Sequence, residues 1–147
     1  MKELTLAQAN QIIETALDKG REMDFNPLTV VVLDSGGHMK AMQRQEKTSI
    51  ARREIAEGKA YATLAMGFGG RELHRRTAKM TPLFFGAISD ATGGRMVPVP
   101  GGVLIKDSDG NTLGAVGISG DISENDEICA VAGILAAGLI PDTGDPQ

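Results

Sequence analysis

The sequence predicts an α+β fold in which helices pack against an antiparallel sheet. Two observations support this class. A β-hairpin followed by a helix occurs twice, first over residues 27 to about 66 and again over residues 101 to about 138. Each hairpin has a short glycine-containing turn, which predicts antiparallel pairing of its strands. The 147 residues fit one domain, without a linker-like or low-complexity run to divide them.

The first element is a helix that begins after Thr5. This threonine can accept a hydrogen bond from the first turn while Gln8 reaches back, an arrangement known as a capping box. Gly20 lies near the predicted end of the helix. Apolar residues recur on one face at helical spacing, namely Leu6, Ala9, Ile12, Ile13, Ala16 and Leu17.

The first hairpin covers residues 27 to 45, with a turn at Gly36 and Gly37. A helix is then predicted from Thr48 to about Met66. Its surface carries Arg53 and Glu57 at the i, i+4 spacing of an ion pair. The same helix is rich in small residues, which allow a neighbouring backbone or a flat ligand to come close: Ala51, Ala56, Gly58, Ala60, Ala62 and Ala65.

The second copy repeats this order. "GGVLIKD" reads as a strand, "SDGN" as a turn and "TLGAVGIS" as the returning strand. Both hairpins need a left-handed residue before the return strand, so we predict a positive φ at Gly37 and at Gly110. Ser123 with Asp126 is predicted to cap the helix that follows and runs to about Gly138.

Composition and charge exclude several classes of function. The net charge is −4 and the isoelectric point is near 5.1, without the basic stripe that nucleic acids or anionic membranes require. The longest apolar run, "AVAGILAAGLI", is too short to span a bilayer, and the sequence shows no export signal, so a cytoplasmic protein is expected. The single cysteine, Cys129, is expected in the core. Small molecules and proteins remain as partners, and the apolar segment "MTPLFFGAI" favours a homo-oligomer, a dimer or larger.

Candidate ligand-binding residues concentrate in the segment that does not repeat, residues 67 to 100. If "RELHRRT" is helical, Arg71, His74 and Arg75 share one face. An imidazole can then ligate a metal while guanidinium groups hold a carboxylate, although a solvated basic face has the same pattern. His38 is the other candidate metal ligand, with a turn-flanking role like that of Asn111 as the alternative.

Two further motifs favour structure over chemistry. "DSDGN" begins like a calcium-binding loop, but Thr112 stands where that loop needs glycine and Ile118 where it needs glutamate, so we predict a turn. "GAVGISG" resembles a phosphate loop but lacks its defining residues and precedes several acids. We therefore predict that its glycines permit close packing.

The motifs "KAYATLA", "PVPGGVLIKDSDGNTLGAVGISGD" and "NDEICAVAGI" follow "VVVLDSGGHMKAMQR" in this order. In these segments the chain resembles the GlcG and HbpS proteins and the C-terminal domain of PduO, often called a haem-degrading domain family. The resemblance covers about residues 4 to 139. It implies a profilin-like fold, dimers or larger homo-oligomers, and binding of haem or a corrinoid-related ligand in some members.

Our leading hypothesis is a binding protein for haem or another planar carboxylated ligand, held between the helix around Lys59 and residues 69 to 102. One alternative is an enzyme in which Lys59 and Arg44 bind a carboxylated metabolite while His74 transfers a proton. Another alternative is a non-catalytic assembly module. The expected ligand contacts are Arg44, Lys59, Arg71, His74, Arg75, Gly101 and Gly102, and the expected metal ligand is His74 or His38.

Overall fold

The computed structural model describes residues 2–145 and contains five helices and five strands in that range. Their order confirms the two hairpin-and-helix units. The elements are α1 (Leu6–Glu22), β1 (Thr29–Asp34), β2 (Met39–Arg44), α2 (Arg52–Met66), α3 (Gly70–Ala78), α4 (Pro82–Ala91), β3 (Gly102–Lys106), β4 (Thr112–Ser119), α5 (Ser123–Ala136) and β5 (Ile140–Asp142).

The five strands form one sheet in the order β2-β1-β4-β3-β5, and every neighbouring pair is antiparallel. This arrangement confirms the predicted α+β class. The two hairpins lie side by side, because β1 of the first pairs with β4 of the second. The three-residue strand β5 was not predicted. It carries too few residues for a recognisable alternation, and it extends the sheet beside β3.

Helices cover both faces of the sheet. On β1, Val30 and Val32 point into the core formed with α1 and α5, whereas Val31 and Leu33 point towards α2. Cys129 lies in the α1–α5 layer as predicted, and burial raises the pKa of its thiol to about 12. The strands are therefore apolar on both sides.

Helix α2 rests directly on glycines of the sheet. A Cβ atom at Gly117 would lie 1.8 Å from the carbonyl oxygen of Ala56, and one at Gly102 would lie 2.3 Å from that of Lys59. No side chain fits at either position without moving the helix. The prediction that α2 packs closely is confirmed. The glycines of "GAVGISG" also pack closely as predicted, Gly117 against α2, Gly114 against the Leu33 carbonyl of β1 and Gly120 against the Pro27 carbonyl.

Several local predictions are confirmed. Thr5 and Gln8 form the capping box of α1. Gly37 and Gly110 occupy equivalent turns with φ of 82° and 84°. Helix α2, however, begins at Arg52 instead of Thr48, because residues 46 and 47 form a turn in which Lys47 has a φ of 72°.

The predicted cap of α5 is wrong. Ile122 occupies the position before the helix and offers no capping side chain. The polar contacts come from one residue earlier, where the Asp121 carboxylate accepts hydrogen bonds from the Ile122 N–H and the Asn125 amide. Ser123 is already helical, and the helix ends at Ala136, two residues before the predicted end at Gly138.

The segment between the two units folds into α3 and α4. Helix α4 begins after Thr81, whose hydroxyl accepts a hydrogen bond from the Phe84 N–H, and none of its residues is buried. Leu83 is 85% exposed and Phe84 is 56% exposed. The apolar surface expected from "MTPLFFGAI" is therefore open. Within residues 2–145, every helix is too short or too polar to cross a membrane.

Candidate functional site

Helix α3 brings together Arg71, His74 and Arg75, as the spacing of "RELHRRT" predicts. Their side chains line one hollow of about 310 Å³, which we call the α3 hollow. Its opposite wall comes from the turn before β3 and from the start of α5. The remaining lining residues are Val99, Pro100, Ser123 and Glu124.

His74 has a free imidazole. The residue is exposed, and within residues 2–145 its side chain takes part in no hydrogen bond or ion pair. The Thr77 hydroxyl donates to the His74 backbone carbonyl at 3.1 Å. Both ring nitrogens are therefore open to a ligand that enters the hollow.

The two arginines of the hollow differ in how many of their nitrogens already have hydrogen-bond partners. Arg75 donates to Glu72, to Asp145 and to the carbonyl of Gly144, so that all three of its nitrogens have partners. Arg71 uses its Nε, which lies 2.9 Å from Glu127 and 3.7 Å from Asp145. Within the described part of the chain, its terminal nitrogens stay open to an anion.

Lys59 lies in the core beneath the wall of the α3 hollow. Its Nζ donates to Asp126 at 3.0 Å and to the carbonyl of Ile118 at 2.9 Å. The two paired side chains are 4% and 0% exposed. Burial raises the pKa of Asp126, and the ammonium of Lys59 opposes that rise. Gly101 passes directly over the ammonium, where a Cβ would lie 2.9 Å from Nζ.

The next residue of α5 makes a second, parallel contact. Glu127 accepts the Nε–H of Arg71, so two consecutive acids of α5 hold α2 and α3. Burial raises the pKa of Glu127, although Arg71 lowers it, and its Oε2 has no hydrogen-bond partner within residues 2–145. The Arg71–Glu127 pair therefore holds one lining residue of the α3 hollow in place, and the Lys59–Asp126 pair holds α2 to α5.

Sequence reasoning missed both acids as partners of the cations. The sequence prediction assigns Asp126 to the cap of α5 and Glu127 only to the acids that follow "GAVGISG", yet the buried positions of α5 recur at helical spacing and include both: Asp126, Glu127, Cys129, Ala130, Gly133 and Ile134. That periodicity was the available signal, because a charged residue in the buried phase of a helix needs a counter-charge.

The other predicted site residues lie elsewhere. Arg44 is exposed in a separate hollow beside Met39, Met42 and Ile50, so the structure does not bring it together with Lys59 or His74. Gly102 lies under α2. The enzyme alternative needs the side chains of Arg44, Lys59 and His74 at one place. In the structure they lie in three different surroundings.

His38 occupies the place in its turn that Asn111 occupies in the second copy. The Asp34 carboxylate accepts hydrogen bonds from the N–H groups of Gly36 and His38, and Asp107 accepts the equivalent pair in the other turn. The His38 side chain is 81% exposed, with Nδ1 3.3 Å from Asp34. Within residues 2–145, no three His, Cys, Asp or Glu side chains are placed to hold a metal ion.

A second hollow, of about 330 Å³, lies within the region expected for the ligand, between the helix around Lys59 and residues 69 to 102, but none of its lining residues is among the predicted contacts. It lies between the first hairpin, α2 and residues 94–97, and we call it the Tyr61 hollow. Its lining residues are Leu33, Gly37, Glu54, Ile55, Glu57, Gly58, Tyr61, Gly94, Arg95 and Val97. One signal for it was available, because Glu54, Glu57 and Tyr61 recur on one face of helix α2.

Comparison with known proteins places these features in a family. The sequence model of the family described as "Haem degrading protein HbpS-like" matches residues 4–135. An uncharacterized 15.0 kDa protein of Citrobacter freundii, from the dhaT-dhaS intergenic region, is 28% identical over 127 residues, which are 86% of this chain and 87% of that protein.

Solved structures share the fold. The crystal structure of a PduOC:heme complex has a TM-score of 0.82 at 24% identity, over 98% of this chain and all of that one. The Klebsiella pneumoniae protein ORFY has a TM-score of 0.81 at 23% identity, over 94% and 93% of the two chains. HbpS has a TM-score of 0.78 at 23% identity, over 92% and 90%.

Proposed function

Since the chain belongs to the HbpS-like family of haem degrading proteins, we propose that it binds haem, with the α3 hollow as the site. The observation that carries this proposal is the free imidazole of His74, next to the open terminal nitrogens of Arg71. A similar structure, that of PduOC, is a haem complex, which supports the choice of ligand.

The residues of the α3 hollow suit the chemistry of haem. A neutral imidazole is a common axial ligand of haem iron, and an arginine with open terminal nitrogens can hold a propionate by charge-assisted hydrogen bonds. Val99 and Pro100 give the hollow an apolar wall. Bound haem supplies the redox chemistry of its iron; His74 and Arg71 supply ligation and orientation.

The charge around the hollow selects one arginine for this role. Arg75 already donates from all three nitrogens to Glu72, Asp145 and Gly144. A propionate there would have to displace an existing partner. We therefore assign the propionate contact to Arg71 and a structural role to Arg75, which holds α3 against the C-terminal segment.

Titration of the full chain with haemin, followed by absorption spectroscopy, tests the proposal. We expect a saturable Soret shift at one haem per chain. His74→Ala should remove the low-spin spectrum because the axial ligand is lost. Arg71→Gln should weaken binding by about 1–3 kcal/mol and leave the spectrum unchanged, since a lost hydrogen bond to a propionate does not alter the iron ligands.

His38→Ala is the matched control, because it removes an imidazole that lies outside the α3 hollow. A wild-type chain that gives no saturable Soret shift would refute haem binding. Loss of the spectrum in His38→Ala, with His74→Ala unaffected, would move the site to the first hairpin. If neither variant changes the spectrum, histidine ligation is wrong.

A further inference from the structure

Arg95 stands out among the arginines that stack on aromatic rings. Its guanidinium carbon lies 3.8 Å from the centroid of the Tyr61 ring. Arg76 stacks in the same way on Phe68, at 3.9 Å, but it also donates to Glu72. Arg95 takes part in no hydrogen bond or ion pair within residues 2–145, so its N–H donors are held in place and remain open.

The backbone around Arg95 is fixed by a contact that requires glycine. The Val97 N–H donates to the carbonyl of Gly58 at 3.1 Å, which fastens residues 95–97 to α2. A Cβ at Gly58 would lie 2.5 Å from Cγ2 of Val97 and 2.8 Å from the carbonyl oxygen of Arg95. Any larger residue would push this segment away from the helix and move Arg95 off the ring.

The Tyr61 hollow has a different character at each end. Arg95 stacks on Tyr61 near one end of the lining stretch of α2, and Glu54 and Glu57 line the hollow one to two turns earlier on the same helix. The two glutamates share one cation, because Arg53 lies 3.7 Å from Glu54 and 3.2 Å from Glu57. Tyr61 lies four positions after Glu57 on α2, a rise of about 6 Å along the helix.

Apolar side chains form the walls between these ends, namely Leu33, Ile55 and Val97. We propose that the Tyr61 hollow binds a small organic acid with a flat apolar body. Its carboxylate is held by Arg95, and an amine or hydroxyl donor at its far end faces Glu57. Planar guanidinium groups match carboxylates well, and 330 Å³ is the size of a site for a metabolite-sized ligand.

This site is independent of the proposed haem site. The Tyr61 hollow and the α3 hollow share no lining residue. A failure of haem binding leaves the second proposal standing, and the reverse also holds.

Isothermal titration of the full chain with three probes tests the proposal: 4-(aminomethyl)benzoate, benzoate and benzylamine. We expect affinity to fall in that order, because the first probe uses both ends of the hollow. Arg95→Gln should weaken both carboxylates about 10- to 100-fold, as expected for a lost charge-assisted contact, and should leave benzylamine unchanged. Glu57→Gln should weaken only the two amines.

Arg76→Gln is the matched control, since it removes a stacked arginine that already has an acidic partner. It should bind all three probes like the wild type. Equal affinity of wild type and Arg95→Gln for benzoate would overturn the proposal, as would the absence of any heat with either carboxylate at millimolar concentration. Haemin that abolishes benzoate binding would assign the Tyr61 hollow to haem and also overturn it.

Discussion

Replacing Lys59 by methionine is the sharpest test of the ion pair under the α3 hollow. Methionine keeps the length of the stem but removes the ammonium from Asp126, whose side chain is fully buried. Breaking a buried pair by removing one partner costs about 3–5 kcal/mol, because an uncompensated charge remains. The Ile118 carbonyl also loses its donor. We expect the free energy of unfolding at pH 7 to fall by about 3–5 kcal/mol or more.

The destabilisation should depend on pH with a definite sign. Burial raises the pKa of Asp126 above its ordinary value of 3.8, and Lys59 limits that rise. Without Lys59, the pKa of the folded state rises further. A carboxyl with a raised folded-state pKa contributes stability that is fully present below its unfolded pKa and is lost as the pH rises through the folded-state pKa. The deficit of Lys59→Met should therefore be largest near neutral pH and shrink towards pH 4.

Urea unfolding of wild type and variant from pH 4 to pH 7 measures this difference. Arg53→Gln is the matched control on the same helix, since it breaks an ion pair between half-exposed side chains and should cost less than about 1 kcal/mol. If Lys59→Met loses as little free energy of unfolding as Arg53→Gln, or loses the same amount at every pH, the ion pair between Lys59 and Asp126 is refuted.

A double variant separates the pair from its surroundings. Lys59→Met with Asp126→Leu leaves no buried charge, but it leaves the Ile118 carbonyl and the Asp121 N–H unpartnered, at about 1–3 kcal/mol each. We expect a total cost of about 2–6 kcal/mol, below the roughly 6–10 kcal/mol that two single losses would sum to. Additive single and double variants would mean that the two side chains do not interact.

Two further outcomes follow from the packing and from the exposed helix α4. Gly117→Ala should destabilise the protein by about 3 kcal/mol or more in the same urea assay, because its Cβ would meet the Ala56 carbonyl. Gly110 has open space around it and a φ of 84°, so Gly110→Ala should cost about 1 kcal/mol. Equal costs for the two variants would contradict this account. We propose that the protein forms a homo-oligomer whose interface covers Leu83 and Phe84. Sedimentation at micromolar concentration should then show a dimer or larger, and Phe84→Glu should shift the protein towards monomer. A monomeric wild type would contradict the proposal.

The backbone of this fold is well predicted from sequence because its signals are local. Glycine turns at Gly37 and Gly110, the capping box at Thr5 and the apolar runs of β1 and β4 each depend on a few neighbouring residues. The prediction failed where the local signal was weak. The predicted start of α2 at Thr48 did not allow for the turn at Lys47. The predicted cap of α5 at Ser123 did not allow for Asp121, which suits a capping role equally well.

The candidate site was predicted only in its helical part. The spacing of Arg71 and His74 places them on one face because a helix has a fixed period. Their electrostatic surroundings depend on Glu127 and Asp145, which lie 56 and 74 residues beyond Arg71 along the chain and reach it only through the tertiary fold. Sequence spacing alone does not reveal such partners.

This dependence changes the chemistry that the basic segment "RELHRR" can perform. As a sequence it carries three arginines and one histidine around a single glutamate, and it resembles an anion-binding face. In the fold, Glu72 forms ion pairs with Arg75 and Arg76. Arg71 also pairs with Glu127 of α5, and Arg75 pairs with Asp145 of the C-terminal segment. Beside the two hollows, the donors that stay open within the described residues are the terminal nitrogens of Arg71 and the guanidinium of Arg95. The two binding proposals therefore depend on individual guanidinium nitrogens that have no acidic partner within residues 2–145, the terminal nitrogens of Arg71 and those of Arg95.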